Sequence, residues 1–264
     1  MESLPKEVLN EWLEESLRKS DRGFAIKWLI ENGADINCVD ESGITMLMRA
    51  IRNGYEDSVS ELIKAGADIN ARDKFGCTVL MYAIMYRRES IVIQLIEAGA
   101  DIDAKDNHGR TALMLASENG LEDSVSELIK AGADINAGDQ YGKTALMCAC
   151  RGAKESIVTK LLEAGADINS RDKFGKTALM FASMGEYDKV LSKLIKTGAD
   201  VNMKDDDGWT ALMYASDWGR ESSVVLLLEA GADINAKNEF GKTALKLAGN
   251  KEVAIKLLKF RFKK

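Results

Sequence analysis

Gly-Ala-Asp begins at residues 33, 66, 99, 132, 165, 198 and 231, an unbroken spacing of 33 residues. A segment that short cannot enclose a core of its own, so each copy must bury its apolar surface against its neighbours. The stretch from Asp57 to Ala71, DSVSELIKAGADINA, returns letter for letter from Asp123 to Ala137, which points to duplication rather than convergence. The chain is expected to be a stack of like units. Whatever distinguishes its function must lie where the units differ.

Each copy opens with Asp-x-x-Gly-x-Thr, as from Asp73 to Thr78 and from Asp172 to Thr177. An aspartate side chain opens a turn by accepting backbone N–H groups, and glycine permits positive φ. Thr78, Thr111, Thr144, Thr177, Thr210 and Thr243 then stand where a hydroxyl caps the first turn of a helix, and the following Ala-Leu pair propagates it. Leu80, Ala83 and Ile84 mark the apolar stripe of one such first helix, and Val92, Leu95 and Ile96 that of the second. Two short helices cannot bury both stripes alone, so pairs must stack. The glycine of Gly-Ala-Asp closes the second helix in the left-handed conformation.

The tripeptide Gly-Lys-Thr, in YGKTALM, FGKTALM and FGKTALK, invites a nucleotide reading. A phosphate-binding loop also needs a glycine five residues before its Gly-Lys, and those places hold Ala137, Ser170 and Ala236. Here the phrase ends a turn and caps a helix, with the lysine directed to solvent.

The period, the Gly-x-Thr-x-Leu core and Gly-Ala-Asp-Ile-Asn resemble the ankyrin-repeat family over about residues 33 to 258. The chain departs from that signature at two letters. Alanine usually replaces proline, and Met48, Met81, Met114, Met147, Met180 and Met213 replace a histidine that in the family braces the turn threonine. The resemblance implies an all-α ankyrin-repeat solenoid of stacked helix-turn-helix units joined by β-turn or hairpin loops, with capping units at both ends. Residues 1–264 are expected to form a single domain: an N-terminal capping repeat at 1–39, six full repeats at 40–237, and a shortened C-terminal capping repeat with a basic tail at 238–264. In the first, Leu4, Val8, Leu9, Trp12, Leu13 and Leu17 share one helical face opposite charged residues. In the last, Lys246 replaces the methionine, and a polar outer face is expected.

Several chemistries are weakly supported. With 46% hydrophobic and 30% charged residues and one proline in 264, the chain is neither disordered nor membrane-spanning. Its acidic, amphipathic start is unlike a secretory signal, so a cytoplasmic protein is expected. The net charge of −6 disfavours nonspecific attraction to nucleic acid. Cys38, Cys77, Cys148 and Cys150 match no metal spacing and read as reduced thiols. The in-register methionines, including Met81 with Met85 and Met180 with Met184, could hold a soft metal ion but read as a packed spine. Asp134 and Asn136 resemble the start of a calcium loop, yet Asp139 and Ala145 stand where glycine and glutamate are required. His108, the sole histidine, sits at a turn tip without a neighbouring nucleophile. No catalytic residue, cofactor or metal is expected.

Partner-binding residues are sought where packing leaves the repeat free to vary: the turn tips and the end of each first helix. These places hold Lys74, Phe75, Met85 and Tyr86; His108, Arg110, Glu118 and Asn119; Tyr141, Lys143 and Arg151; Phe174, Lys176 and Met184; and Asp206, Asp207, Trp209, Asp217 and Trp218. The resemblance implies that they line a concave face and finger tips which bind another protein, the chain acting as a monomeric, non-enzymatic scaffold. Trp209 and Trp218 are read as partner anchors; the alternative is that aromatics at adjacent turns, such as Phe174, Trp209 and Phe240, pack on one another. The alternative is nucleic acid or an anionic surface held by Arg72, Lys74, Lys105, Arg110, Lys143, Arg171, Lys173 and Lys176, or by the basic tail KLLKFRFKK.

Overall fold

A computed structural model of the chain describes residues 5, 8–12, 15 and 23–262. Among these, residues 8–12 are helical, and the longer helices follow in pairs. They are α1 (Gly23–Glu31), α2 (Met46–Asn53), α3 (Glu56–Lys64), α4 (Val79–Met85), α5 (Glu89–Glu97), α6 (Ala112–Asn119) and α7 (Glu122–Lys130). The series continues with α8 (Ala145–Arg151), α9 (Glu155–Glu163), α10 (Ala178–Ser183), α11 (Asp188–Lys196), α12 (Ala211–Asp217) and α13 (Glu221–Glu229), then a 3-10 turn (Ala244–Leu247) and α14 (Lys251–Arg261). Contacts group the chain into two compact units, Met1–Ala116 with Asp123–Ala133 and Ser117–Glu122 with Asp134–Lys264.

Within the first unit α2 packs on α3 and α4, and α1 on α3. Within the second, α8, α10 and α12 stack in order as first helices, while α9, α11, α13 and α14 stack as second helices. The sequence explains each boundary. Thr45, Thr78, Thr111, Thr144, Thr177 and Thr210 each accept, through Oγ1, the backbone N–H of the methionine three residues on. Such a cap is worth about 1 kcal/mol. The methionines that follow are no more than 2% exposed, so the spine reading holds. The second helices α3, α5, α9, α11 and α13 start without a side-chain cap, but Glu56, Glu89, Glu155, Asp188 and Glu221 supply negative charge to the first turn, whereas Asn250 caps α14 by accepting from Val253 N–H. They end at the glycine of Gly-Ala-Asp: Gly66, at φ 87°, donates to Ile63, and Ala67 donates back to Leu62.

Two hydrogen-bond ladders join neighbours. In one, an asparagine Oδ1 accepts the N–H of the aspartate in the next copy: Asp68 to Asn37 and Asp101 to Asn70 in the first unit, Asp167 to Asn136, Asp200 to Asn169 and Asp233 to Asn202 in the second. Asn10 starts the series by accepting from Asp35. The other runs between turn tips, with Lys74 N–H donating to Ser42 and Asn107 to Phe75, and further on Lys173 to Tyr141, Asp206 to Phe174 and Glu239 to Asp207. At Gly142, φ is 75° and a Cβ would sit 3.2 Å from the Lys173 nitrogen, so conformation and proximity both require glycine there.

The ends depart from expectation. Leu4, Leu13 and Leu17 lie outside the described residues; Leu9 is buried, Val8 half-buried and Trp12 exposed. Thr243 makes no side-chain cap, because in the shortened last copy Gly249 N–H is drawn onto the Ser216 carbonyl and only a 3-10 turn forms. On α14, Val253 and Leu257 are buried, and the exposed side mixes the charged Lys251, Glu252, Lys256, Lys259 and Arg261 with the apolar Ile255, Leu258 and Phe262.

Candidate protein-binding surface

The turn aspartate organises each tip. Oδ1 of Asp172 accepts the N–H groups of Phe174 and Lys176, and Oδ1 of Asp205 those of Asp207 and Trp209. The second oxygen looks to the residue nine positions on, the most variable position of the first helix. Arg49 Nη2 donates to Asp40 at 2.7 Å, Tyr82 hydroxyl to Asp73 at 2.9 Å, and Tyr214 hydroxyl to Asp205. Position 115 is leucine, and there Arg110 takes over, its guanidinium 2.7 Å from an Asp106 side chain that is 1% exposed. Position 181 is phenylalanine, and the buried Oδ2 of Asp172 has no hydrogen-bond partner.

These contacts set the charges. Burial pushes the Tyr82 and Tyr214 phenols far above their usual range, and donation to an ionised carboxylate raises them further. Burial would also raise Asp40, but bonds from Ile44 and Ser42 N–H and the Arg49 guanidinium outweigh it and hold the carboxyl below its usual range. Burial pushes Cys77 up to about 11 and Cys148 up to about 12, and Cys150 higher still, so none of these three thiols is primed as a nucleophile. Among the described residues no group of three or more His, Cys, Asp and Glu side chains converges to hold a metal ion.

In the first unit Lys74, Phe75, Met85, Tyr86 and His108 are exposed, and Tyr86 lies 6.0 Å from the Tyr82 ring. Arg110 is instead a bracing residue, spent on Asp106.

The second unit gathers more. Tyr141 and Phe174, both exposed, stack at 6.3 Å with their planes 23° apart. Lys143 and Lys176 do not point to solvent as the sequence suggested; they are half-buried because rings lie beneath them. Lys143 Nζ is 5.9 Å from the centroids of both Tyr141 and Phe181, and Lys176 Nζ is 5.2 Å from that of Tyr214. Trp209 is also half-buried, its ring packed 5.0 Å from that of Tyr214 in the same repeat. Trp218 remains 56% exposed beside exposed Asp217. Asp206 is exposed but paired with Arg171 at 2.9 Å, whereas Asp207 is exposed nearby. Glu118 and Arg151 are exposed, and Asn119 and Met184 half-buried. Phe240 is exposed and belongs to neither ring pair. Phe181 and Tyr214 were missed in the sequence; the signal was the variability of the position nine residues after the turn aspartate.

The arrangement of capped first helix, glycine-closed second helix and stacked turn tips now meets an independent comparison. The family model for ankyrin repeats matches residues 18–106, 94–172 and 152–238, most of the chain. The chain belongs to the ankyrin-repeat family. A search of curated proteins finds no match to it. Ankyrin repeats are generally protein–protein interaction modules and typically not enzymes. In this ankyrin-repeat protein the arginines proposed from sequence as phosphate ligands are largely engaged: Arg72 donates to the Lys105 carbonyl, Arg110 pairs with Asp106, and Arg171 with Asp206. Among the described residues no helix is long and apolar enough to cross a membrane.

Proposed function

We propose that this ankyrin-repeat protein is a non-enzymatic module that holds a partner protein on the turn tips and first-helix face of its second unit, centred on Tyr141, Lys143, Phe174, Lys176 and Phe181. The observation that carries this reading is the alternation of rings and ammonium groups at positions the repeat does not need for stacking. Aromatic side chains held by neighbours lose little conformational freedom on binding, which is why such residues anchor interfaces. Trp218, at the end of α12, offers a further anchor, and Asp207 and Asp217 give the surface an acidic border. The protein is proposed to act as a cytoplasmic monomer, residues 40–237 supplying six full repeats between terminal units.

The test is affinity capture from source cells, quantified for the native chain, for Tyr141→Ala with Phe174→Ala, and for Trp218→Ala. Proteins retained by the native chain should fall by about tenfold or more with the double variant, at an unchanged melting temperature. Equal capture by both variants would overturn the assignment.

A further inference from the structure

The last helix carries two apolar stripes. Val253 and Leu257, four residues apart, are fully buried where α14 packs on α13. Ile255, Leu258 and Phe262, spaced by three and four residues, form a second stripe that is 40%, 38% and 82% exposed. The same type of surface is closed one helix earlier: Leu228 of α13 is 3% exposed and lines, with Ile255 and Leu258, an open groove of about 650 Å³. So α14 presents to solvent an apolar stripe of the kind that marks an interaction surface.

The charge around this stripe is one-sided. From residue 251 to 264 there are six basic residues and one acidic, in a chain whose net charge is −6. Lys256 and Lys259 line the apolar groove together with a single acid, Glu229. Lys256 also lines an adjoining groove with Lys189, Lys193 and Lys196 of α11, where Glu155 and Asp188 are the acids. The basic surface therefore extends past the apolar stripe onto the second-helix side of the unit. Two copies meeting through this face would set Lys256, Lys259 and Arg261 against their own counterparts. A broad negative surface with an apolar interior satisfies both components at once, because ammonium groups pair with headgroups while the stripe enters the acyl boundary.

We infer that the α14 face is a docking surface for an anionic lipid bilayer, independent of the partner-binding surface at the turn tips. The helix lies along the bilayer with Ile255, Leu258 and Phe262 inward and Lys256, Lys259 and Arg261 at headgroup level. Attachment is peripheral and reversible, and it is sensitive to salt.

Flotation of the full chain with vesicles of phosphatidylcholine, alone or mixed with phosphatidylserine, tests this directly. Binding is expected only with phosphatidylserine present, and should weaken as salt is raised. Leu258→Ser with Phe262→Ser should weaken it by about tenfold or more, without a change in melting temperature, since both side chains are exposed. Lys256→Gln with Lys259→Gln should weaken it and flatten its salt dependence. Three results would each overturn the inference: no binding to the mixed vesicles, equal binding by the serine variant, or a lipid-free dimer abolished by Leu258→Ser, which would assign the face to a second copy of the chain.

Discussion

The copies that begin at Asp172 and Asp205 differ by one oxygen atom at a decisive place. Both turn aspartates are buried and both accept two backbone N–H groups through Oδ1. At Asp205 the hydroxyl of Tyr214 satisfies the other oxygen; at Asp172 the corresponding residue is Phe181, which has no donor, and Oδ2 is left without a partner. Both rings carry a lysine, Lys176 over Tyr214 and Lys143 over Phe181, but only the one with a hydroxyl also locks its tip. The tip at Asp172 is the less constrained of the two, and it lies in the middle of the proposed binding surface.

Removing the aspartates separates these tips most sharply. Asp205→Ala deprives two N–H groups and a buried phenol of their acceptor and should cost about 3 kcal/mol, against about 2 kcal/mol for Asp172→Ala, read from urea melts. Equal losses would mean that the third bond contributes nothing. Tyr214→Phe recreates the Asp172 arrangement at Asp205 and should cost about 1.5 kcal/mol, with Tyr82→Phe behaving alike. The reverse exchange, Phe181→Tyr, should stabilise by about 1 kcal/mol. If it also weakens partner capture, the openness of that tip serves binding.

The smallest effect, silent at neutral pH, is alkaline. Tyr82 and Tyr214 have folded pKa values raised above the usual 10, through burial first and their carboxylate partners second. Their contribution is fully present below pH 10 and is lost as pH rises toward the folded values, because the unfolded chain releases those protons first. Stability should decline above that point, and more gently in Tyr214→Phe. An identical alkaline decline in the variant would show that the phenol is not buried in its bonded form.

Features written into the backbone of every copy were legible in the sequence. Threonine caps, the methionine spine and the αL glycines each follow from one residue acting on its immediate neighbours, and they appear where the letters place them. Pairings that link a turn to the helix behind it were not legible. Trp209 looked like an anchor because a turn-tip tryptophan is usually open; its burial depends on Tyr214 five residues later. Lys143 and Lys176 looked solvated because the rings beneath them belong to other columns of the repeat. Thr243 follows the same Gly-Lys and precedes the same Ala-Leu as Thr144 and Thr177, yet it makes no side-chain cap in the shortened copy, where Gly249 N–H goes to the Ser216 carbonyl.

The asparagine-to-aspartate ladder has an evolutionary consequence. Each latch of this kind in the second unit has the same male and female fittings, so a newly copied segment of the right length would find a matching socket on both sides at once. Growth or shrinkage of such an array needs no redesign of its joints, and the stretch shared verbatim by residues 57–71 and 123–137 is what recent copying of that kind leaves behind.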